Sequence, residues 1–166
     1  MKLTRGAYRT YLDSSFGKEA GKHEWYLVGK DIEEMSTELN PDVETVKNIL
    51  DETSVRDNGY EPSTEADPFY ADPTDKMYPK LRDIAMGRMK GDECKTTILE
   101  VIVEDTSSES HVAYIEDVIV KPTSIGGDTS GVSIPFTIYY AGNRKKGTVK
   151  ITNKVPTFTE DAATAS

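Results

Sequence analysis

The strongest constraint on the fold lies between residues 132 and 140, "VSIPFTIYY". Val132, Ile134, Phe136, Ile138 and Tyr140 fall on one side of an extended chain. Ser133, Pro135, Thr137 and Tyr139 fall on the other. A period of two suits a strand with one face in a core, and no helix uses it. Pro135 has no N–H to give to a ladder, so the strand must lie at an edge there or carry a bulge. "SIGGDTSG" before it and "AGNRKKG" after it read as turns. "TVKIT" (148–152) then returns as the last strand.

The neighbouring segments extend the β pattern. "CKTTILEVIVEDT" (94–106) has a β-rich apolar centre, and "HVAYIEDVIVKP" (111–122) alternates with both faces partly apolar, which suits a sheet covered on each face. "SSES" between them reads as a short polar hairpin loop. "HEWYLVGKDI" (23–32), bounded by Gly21 and Gly29, reads as the first strand. Residues 1–20 show no clear period and read as an arm or an irregular edge segment. "DKMYPKLRDIAMGRMKGDE" (75–93) is the helix: Tyr78, Leu81, Ala85 and Met89 form a stripe beside Ile84. Pro79 is tolerated only in the first turn, so the helix begins near Tyr78, and Gly91 suits its end. Its span is placed at residues 76–90.

At 166 residues the chain suits one domain, placed at 1–152, with 153–166 as a flexible tail. The expected architecture is mainly β: an antiparallel sandwich or barrel with one flanking α-helix. Two segments are harder to read. In "ELNPDVETVKNIL" (38–50), Asn40 and Pro41 resemble an N-cap and first helical position, so local signals favour a short helix. Residues 51–76 hold three prolines and little period, and read as a long interaction loop.

Charge is unevenly placed. The chain carries a net charge of −9, and residues 31–72 hold thirteen acids against Lys47 and Arg56 alone. Such a block is unsuited to phosphate, whose affinity comes from Lys and Arg. It suits a solvated surface or contact with a basic one. No constellation for chemistry emerges. Cys94 is the single cysteine, so no internal disulfide is possible. His23 and His111 are far apart and do not fit a zinc pattern with it. Asp67, Asp72 and Asp75 lack the alternation, central Gly and terminal Glu of a calcium loop. "SIGGDTSG" precedes a strand where a phosphate loop would open a helix. Glu116 and Asp117 are adjacent in a strand and point to opposite faces. No catalytic, cofactor-binding or metal-ligating residue is therefore assigned, and no enzyme activity or cofactor is expected. No run approaches the ~20 apolar residues of a membrane span, nor the shorter one of a signal peptide, so a soluble chain is expected.

"IGGDTSGVSIPFTIYYAGNRKKGTVKIT" (125–152) resembles the C-terminal end of major tail tube proteins of long-tailed, non-contractile phages of Gram-positive hosts. "ELNPDVETVKNILDETS" and "VRDNGYEPSTEADPF" resemble that family's Asn-Pro-acid-Val-Glu-Thr core and its Gly-Tyr-x-Pro-Ser loop. The helix and "GDECKTTILEVIV" follow in the same order, so the resemblance spans roughly residues 20–152. It implies a small β-sandwich or barrel with a flanking helix, closing into hexameric rings that stack into a self-assembling tube. DNA would pass through this tube without specific binding. The partners implied are other copies of the chain and tape-measure, tail terminator and baseplate proteins. The location implied is the virion tail, after synthesis in the host cytoplasm. The resemblance also favours an extended strand over residues 40–50, and strand is the expectation taken.

On this reading Arg56, Asp57, Tyr60, Glu61, Glu65, Asp67 and Phe69 belong to the inter-subunit or inter-ring loop. Arg144, Lys145 and Lys146, with Arg5 and Arg9, are the bases available to oppose the acidic block. Two other readings compete: the inner tube of a contractile tail or tail-like injection device, and a β-sandwich module binding carbohydrate or a cell surface. The latter needs an exposed aromatic platform, for which only Trp25, Tyr139 and Tyr140 are available.

Overall fold

A computed structural model describes residues 2–16 and 23–161. It contains twelve strands and one α-helix in this order: β1 (Tyr8–Asp13), β2 (Trp25–Val28), β3 (Thr37–Glu38), β4 (Pro41–Lys47), β5 (Thr53–Tyr60), β6 (Ser63–Ala66), α1 (Tyr78–Gly87), β7 (Lys95–Ile102), β8 (His111–Pro122), β9 (Gly126–Asp128), β10 (Gly131–Ser133), β11 (Phe136–Thr152) and β12 (Val155–Glu160). The main sheet runs β2-β1-β7-β8-β11-β6-β3, with β12 also paired to β11, and every pairing is antiparallel. It curls into a half-barrel, the mainly β architecture with one helix that the alternation implies.

Both faces of this sheet are filled. On one face Leu12, Ile98, Val118, Val120, Phe136 and Ile138 pack with Leu81 and Met77 from the helix region. On the other, Tyr11, Leu99, Val101, Ala113 and Val149 pack with the partly buried Trp25, Ile151 and Phe158. That explains why β8 reads as partly apolar on both faces and β7 as apolar at its centre. The helix begins at Tyr78 with Pro79 in its first turn, as expected. It stops at Arg88, which adopts the left-handed conformation (φ 50°), three residues before Gly91.

Four segments differ from their sequence reading. Residues 8–13 form no arm: β1 lies inside the sheet between β2 and β7, with Tyr11 and Leu12 buried on opposite faces. Residues 17–20 of that expected arm lie outside the described residues. The stretch 132–140 is two strands. Pro135 sits in the gap between β10 and β11, where its carbonyl accepts from Thr123 N at 2.9 Å and no donor is required of it. The expected turn "AGNRKKG" is the middle of β11, a continuous strand that bulges at Gly142–Asn143. The expected flexible tail forms β12 along Gly147–Thr152, because Phe158 faces Val149 and caps the second core cluster. Residues 162–166 of that tail lie outside the described residues.

Two glycines are required by close approach. A Cβ on Gly127 (φ 124°) would lie 2.1 Å from the Gly131 carbonyl oxygen in the β9–β10 turn. One on Gly147 would lie 2.6 Å from the Phe158 ring, so Gly147 lets β12 close onto β11. Cys94 is buried and free, and its Sγ donates to the Met89 carbonyl.

Candidate assembly interface

Of residues 40–50, where the resemblance implies a strand, Pro41–Lys47 are extended and 48–50 open a turn, so the local helix signals lose. Asn40 has a left-handed backbone (φ 45°), where an N-cap needs an extended one. Its side chain donates to the Glu61 carbonyl at 3.0 Å and closes the base of a hairpin. The β-branched residues Val43, Thr45 and Val46 pair with Asp57, Val55 and Ser54 in a separate two-stranded sheet, β4–β5. The expected loop at 51–76 is thus partly strand: β5 completes this hairpin, and β6 joins the main sheet beside β11.

The hairpin is unusual in what it leaves to solvent. Val43 and Val55 are exposed, Leu50 is 71% exposed and Ile49 is fully exposed. An isolated two-stranded hairpin is marginal in water. Its turn is nevertheless ordered. Asn48 Oδ1 accepts from Leu50 N at 2.9 Å and Glu52 N at 3.0 Å, and Asp51 N donates to the Asn48 carbonyl at 3.1 Å. Lys47 pairs with Asp51 at 3.5 Å and Arg56 with Glu44 at 3.2 Å.

The residues predicted for contact divide between different places. Arg56, Asp57 and Tyr60 stand on β5 and are exposed, and Glu61 follows at the hairpin base. Glu65 and Asp67 are exposed on and beside β6. Phe69 requires correction. It is 3% exposed, with its ring edge-on to Tyr26 and Phe136, so it belongs to the core and offers nothing to a partner. Lys145 faces Glu160 at 3.8 Å, and Lys146 is exposed beside it. Arg5 and Arg9 line a groove beside the free edge of β2.

Arg144 reaches across the sheet surface to buried carboxylates, its own side chain still 41% exposed. The bulge at Gly142 (φ 102°) and Asn143 (φ 60°) shifts the β11 register and turns Arg144 across the sheet. Its Nη1 lies 2.7 Å from Glu100 Oε1 and 3.0 Å from Glu116 Oε1, both carboxylates being buried. The guanidinium stands over the Tyr114 ring at 4.6 Å. Tyr8 donates its hydroxyl to Glu100, and Gly142 N donates to Glu116 Oε2 at 3.1 Å. Burial, then the Glu100 charge, raises the Tyr140 hydroxyl to about 12 and pushes the Tyr8 hydroxyl up as well. Both phenols therefore remain neutral, and Tyr8 is a donor to Glu100. This group ties β1, β7, β8 and β11 together; Glu100 and Glu116 are sixteen residues apart in the chain, and only antiparallel pairing reveals their meeting.

The exposed tip residues Ile49 and Leu50 were missed by sequence reasoning, since residues 38–50 alternate poorly. The available signal was Asn48, a turn former set between two β-branched stretches. Among the described residues no group of three or more His, Cys, Asp or Glu side chains is placed to hold a metal ion, and no helix is long and apolar enough to cross a membrane.

No family model matches the chain, and no curated protein matches its sequence. Two structures solved by cryo-EM share its fold. One is the sheath/tube terminator of PVC, an extracellular contractile injection system, in its extended state. It aligns with a TM-score of 0.52 at 9% identity, over 88% of this chain and 96% of the terminator. The other is the tube-terminating cap of the anti-feeding prophage, with a TM-score of 0.51 at 14% identity, over 89% of this chain and 92% of the cap. At such identities the likeness is one of fold.

Proposed function

We propose that this chain is a structural subunit of a phage-tail-type tube. Copies join head to tail into rings, hexameric in the family it resembles, and the rings stack into a conduit for DNA. One observation carries the reading: an ordered hairpin presents Val43, Ile49, Leu50 and Val55 to solvent, on a fold shared with proteins that end such tubes. A surface of this kind is explained by a neighbouring subunit. Closure into a ring also pairs or covers sheet edges that would otherwise invite aggregation. The working chemistry is then association, with no catalytic step. The implied partners are further copies, a tape-measure protein, a terminator and a baseplate, and the implied site is the virion tail.

A second reading is favoured by a separate observation. The two neighbours named above are a terminator and a cap, which supports a single ring closing a tube end, in a contractile or a non-contractile tail. The carbohydrate-binding reading has little to stand on. Trp25 stacks on His23 and packs against the second core cluster, and Tyr140 bonds inside the sheet with Thr37 and Thr64. Only Tyr139 of the three is exposed, and one tyrosine makes no platform.

Electron microscopy with sedimentation at rising concentration tests the proposal. Hollow rods of uniform width are expected of a tube subunit, and single rings of a terminator. A chain that stays monomeric throughout contradicts both. Shortening the hairpin between Pro41 and Tyr60 to a tight turn should abolish assembly and leave the sheet folded. Removal of residues 61–72, by contrast, should unfold the domain, because Ala66 and Phe69 lie in the core.

A further inference from the structure

The geometry points to a receptor for the hairpin tip: we propose that the turn Asn48–Glu52 of one copy plugs the groove beside β2 of a neighbouring copy. The inference rests on the self-assembly reading above and adds the partner surface to it.

The groove has a cavity of about 810 Å³. Its apolar lining, Leu27, Val28, Ile32, Met35 and Ile151, wraps the sheet edge and draws on residues from both faces. Its rim carries Arg5, Arg9, Lys30 and Lys154 against a single acid, Glu33. Lys30 is engaged with Asp72 at 3.3 Å. Arg5 and Arg9 donate only to backbone carbonyls, those of Tyr8 and Met35 for the first and of Gly6 for the second. Arg5, Arg9 and Lys154 have no carboxylate partner among the described residues, on a chain of net charge −9. Thr10 lines the same cavity, and its buried hydroxyl has no hydrogen-bond partner among the described residues. β2 is the outer strand of the main sheet on that side, so one side of its backbone is unpaired by the sheet.

The tip is the complement of this groove. Ile49 and Leu50 project together from a turn that Asn48 holds in shape, and Asp51 and Glu52 follow them directly. Hairpin residues 41–60 carry five acids and two bases, and both bases already face acids within the hairpin. Aliphatic anchors in an apolar pocket ringed by opposite charge are the usual anatomy of a specific interface. A turn ordered before contact loses less entropy on docking. Groove and tip are different surfaces of one chain, so the contact is heterologous and propagates or closes into a ring.

The test uses the full chain. Leu27→Cys protein is mixed with Leu50→Cys protein, allowed to associate and oxidised mildly, with Cys94 a buried spectator. A disulfide between 27 of one copy and 50 of another, found by mass spectrometry in the associated fraction, supports the docking. A second arm needs no new bond: Ile49→Ser with Leu50→Ser, or Arg9→Glu with Lys154→Glu, should weaken self-association about tenfold or more. Asp51→Lys with Glu52→Lys should recover part of the loss in the Arg9→Glu, Lys154→Glu background, and circular dichroism should stay unchanged. If wild-type protein assembles while no 27–50 bond forms and both double variants assemble normally, the groove is not the receptor and the self-assembly reading stands. If wild-type protein never associates, both fall. Binding of a short DNA duplex that Arg9→Glu with Lys154→Glu removes would overturn the occupant named here.

Discussion

The main sheet and the β4–β5 hairpin are built from the same kind of residues to opposite ends. In the sheet, Leu12, Ile98, Leu99, Val101, Val118, Val120, Phe136 and Ile138 are fully buried across its two faces, and even the charged residues Glu100, Glu116 and Arg144 find partners inside the chain. In the hairpin, Val43, Val55, Ile49 and Leu50 remain in water, and order comes from Asn48 and two exposed ion pairs. Exposed pairs of that sort contribute about 0–1 kcal/mol each. The difference separates residues whose burial holds the fold from residues the fold leaves in water, and the proposed assembly would use the second set.

This contrast can be broken most sharply at the sheet's polar lock. Arg144→Leu leaves two buried carboxylates without their cation and should destabilise the domain by about 3–5 kcal/mol, read by urea unfolding. Adding Glu100→Gln and Glu116→Gln to it should return a large part of that loss; no return would mean the lock acts through packing alone. Phe136→Ala, which empties a fully buried position on the helix-covered face, belongs in the same range of about 3–5 kcal/mol.

A smaller effect is expected at Asp13. Burial opposes its charge, yet Ser15, His23 and the Ser15 and Glu24 backbone amides bond to it and hold its carboxyl below the ordinary value. A depressed folded pKa adds stability that is full above the unfolded value of about 3.9 and is lost as pH falls through the folded one. Asp13→Ala should therefore cost about 1.5–3 kcal/mol at neutral pH, and its deficit should shrink below about pH 4. A deficit unchanged down to pH 2 would assign the cost to shape rather than charge. Gly147→Ala should release β12 from β11 by the clash with Phe158, seen as faster amide exchange over 155–160 with the rest of the sheet protected. The smallest change is expected at the hairpin. Val55→Ser should alter unfolding free energy by less than about 0.5 kcal/mol while weakening self-association. If it unfolds the domain instead, the hairpin belongs to the fold and the contrast fails.

Much of the sheet was visible beforehand because alternation is a local property. β7, β8 and the start of β11 announce themselves by which residues face together, and α1 by its stripe and Pro79. β1 and β12 were not visible. Their segments are short and polar enough to pass for arms, and become strands because a neighbouring edge accepts them and Tyr11, Leu12 and Phe158 find cores. Arg56, Asp57 and Tyr60 were placed in a projecting element from resemblance. Phe69 was placed there wrongly, since an aromatic residue in a polar stretch looks the same whether it faces a partner or its own core.

The sequence alone determined that the chain is a β protein with one helix, acidic in a single block, and without a disulfide or a metal pattern. Those follow from composition and from periods read over a few residues. The tertiary structure alone decided that Glu100, Glu116 and Arg144 meet, that Pro135 falls between strands, and that four basic residues gather around an apolar groove. Each depends on register between segments distant in the chain, and register is set by how whole faces pack.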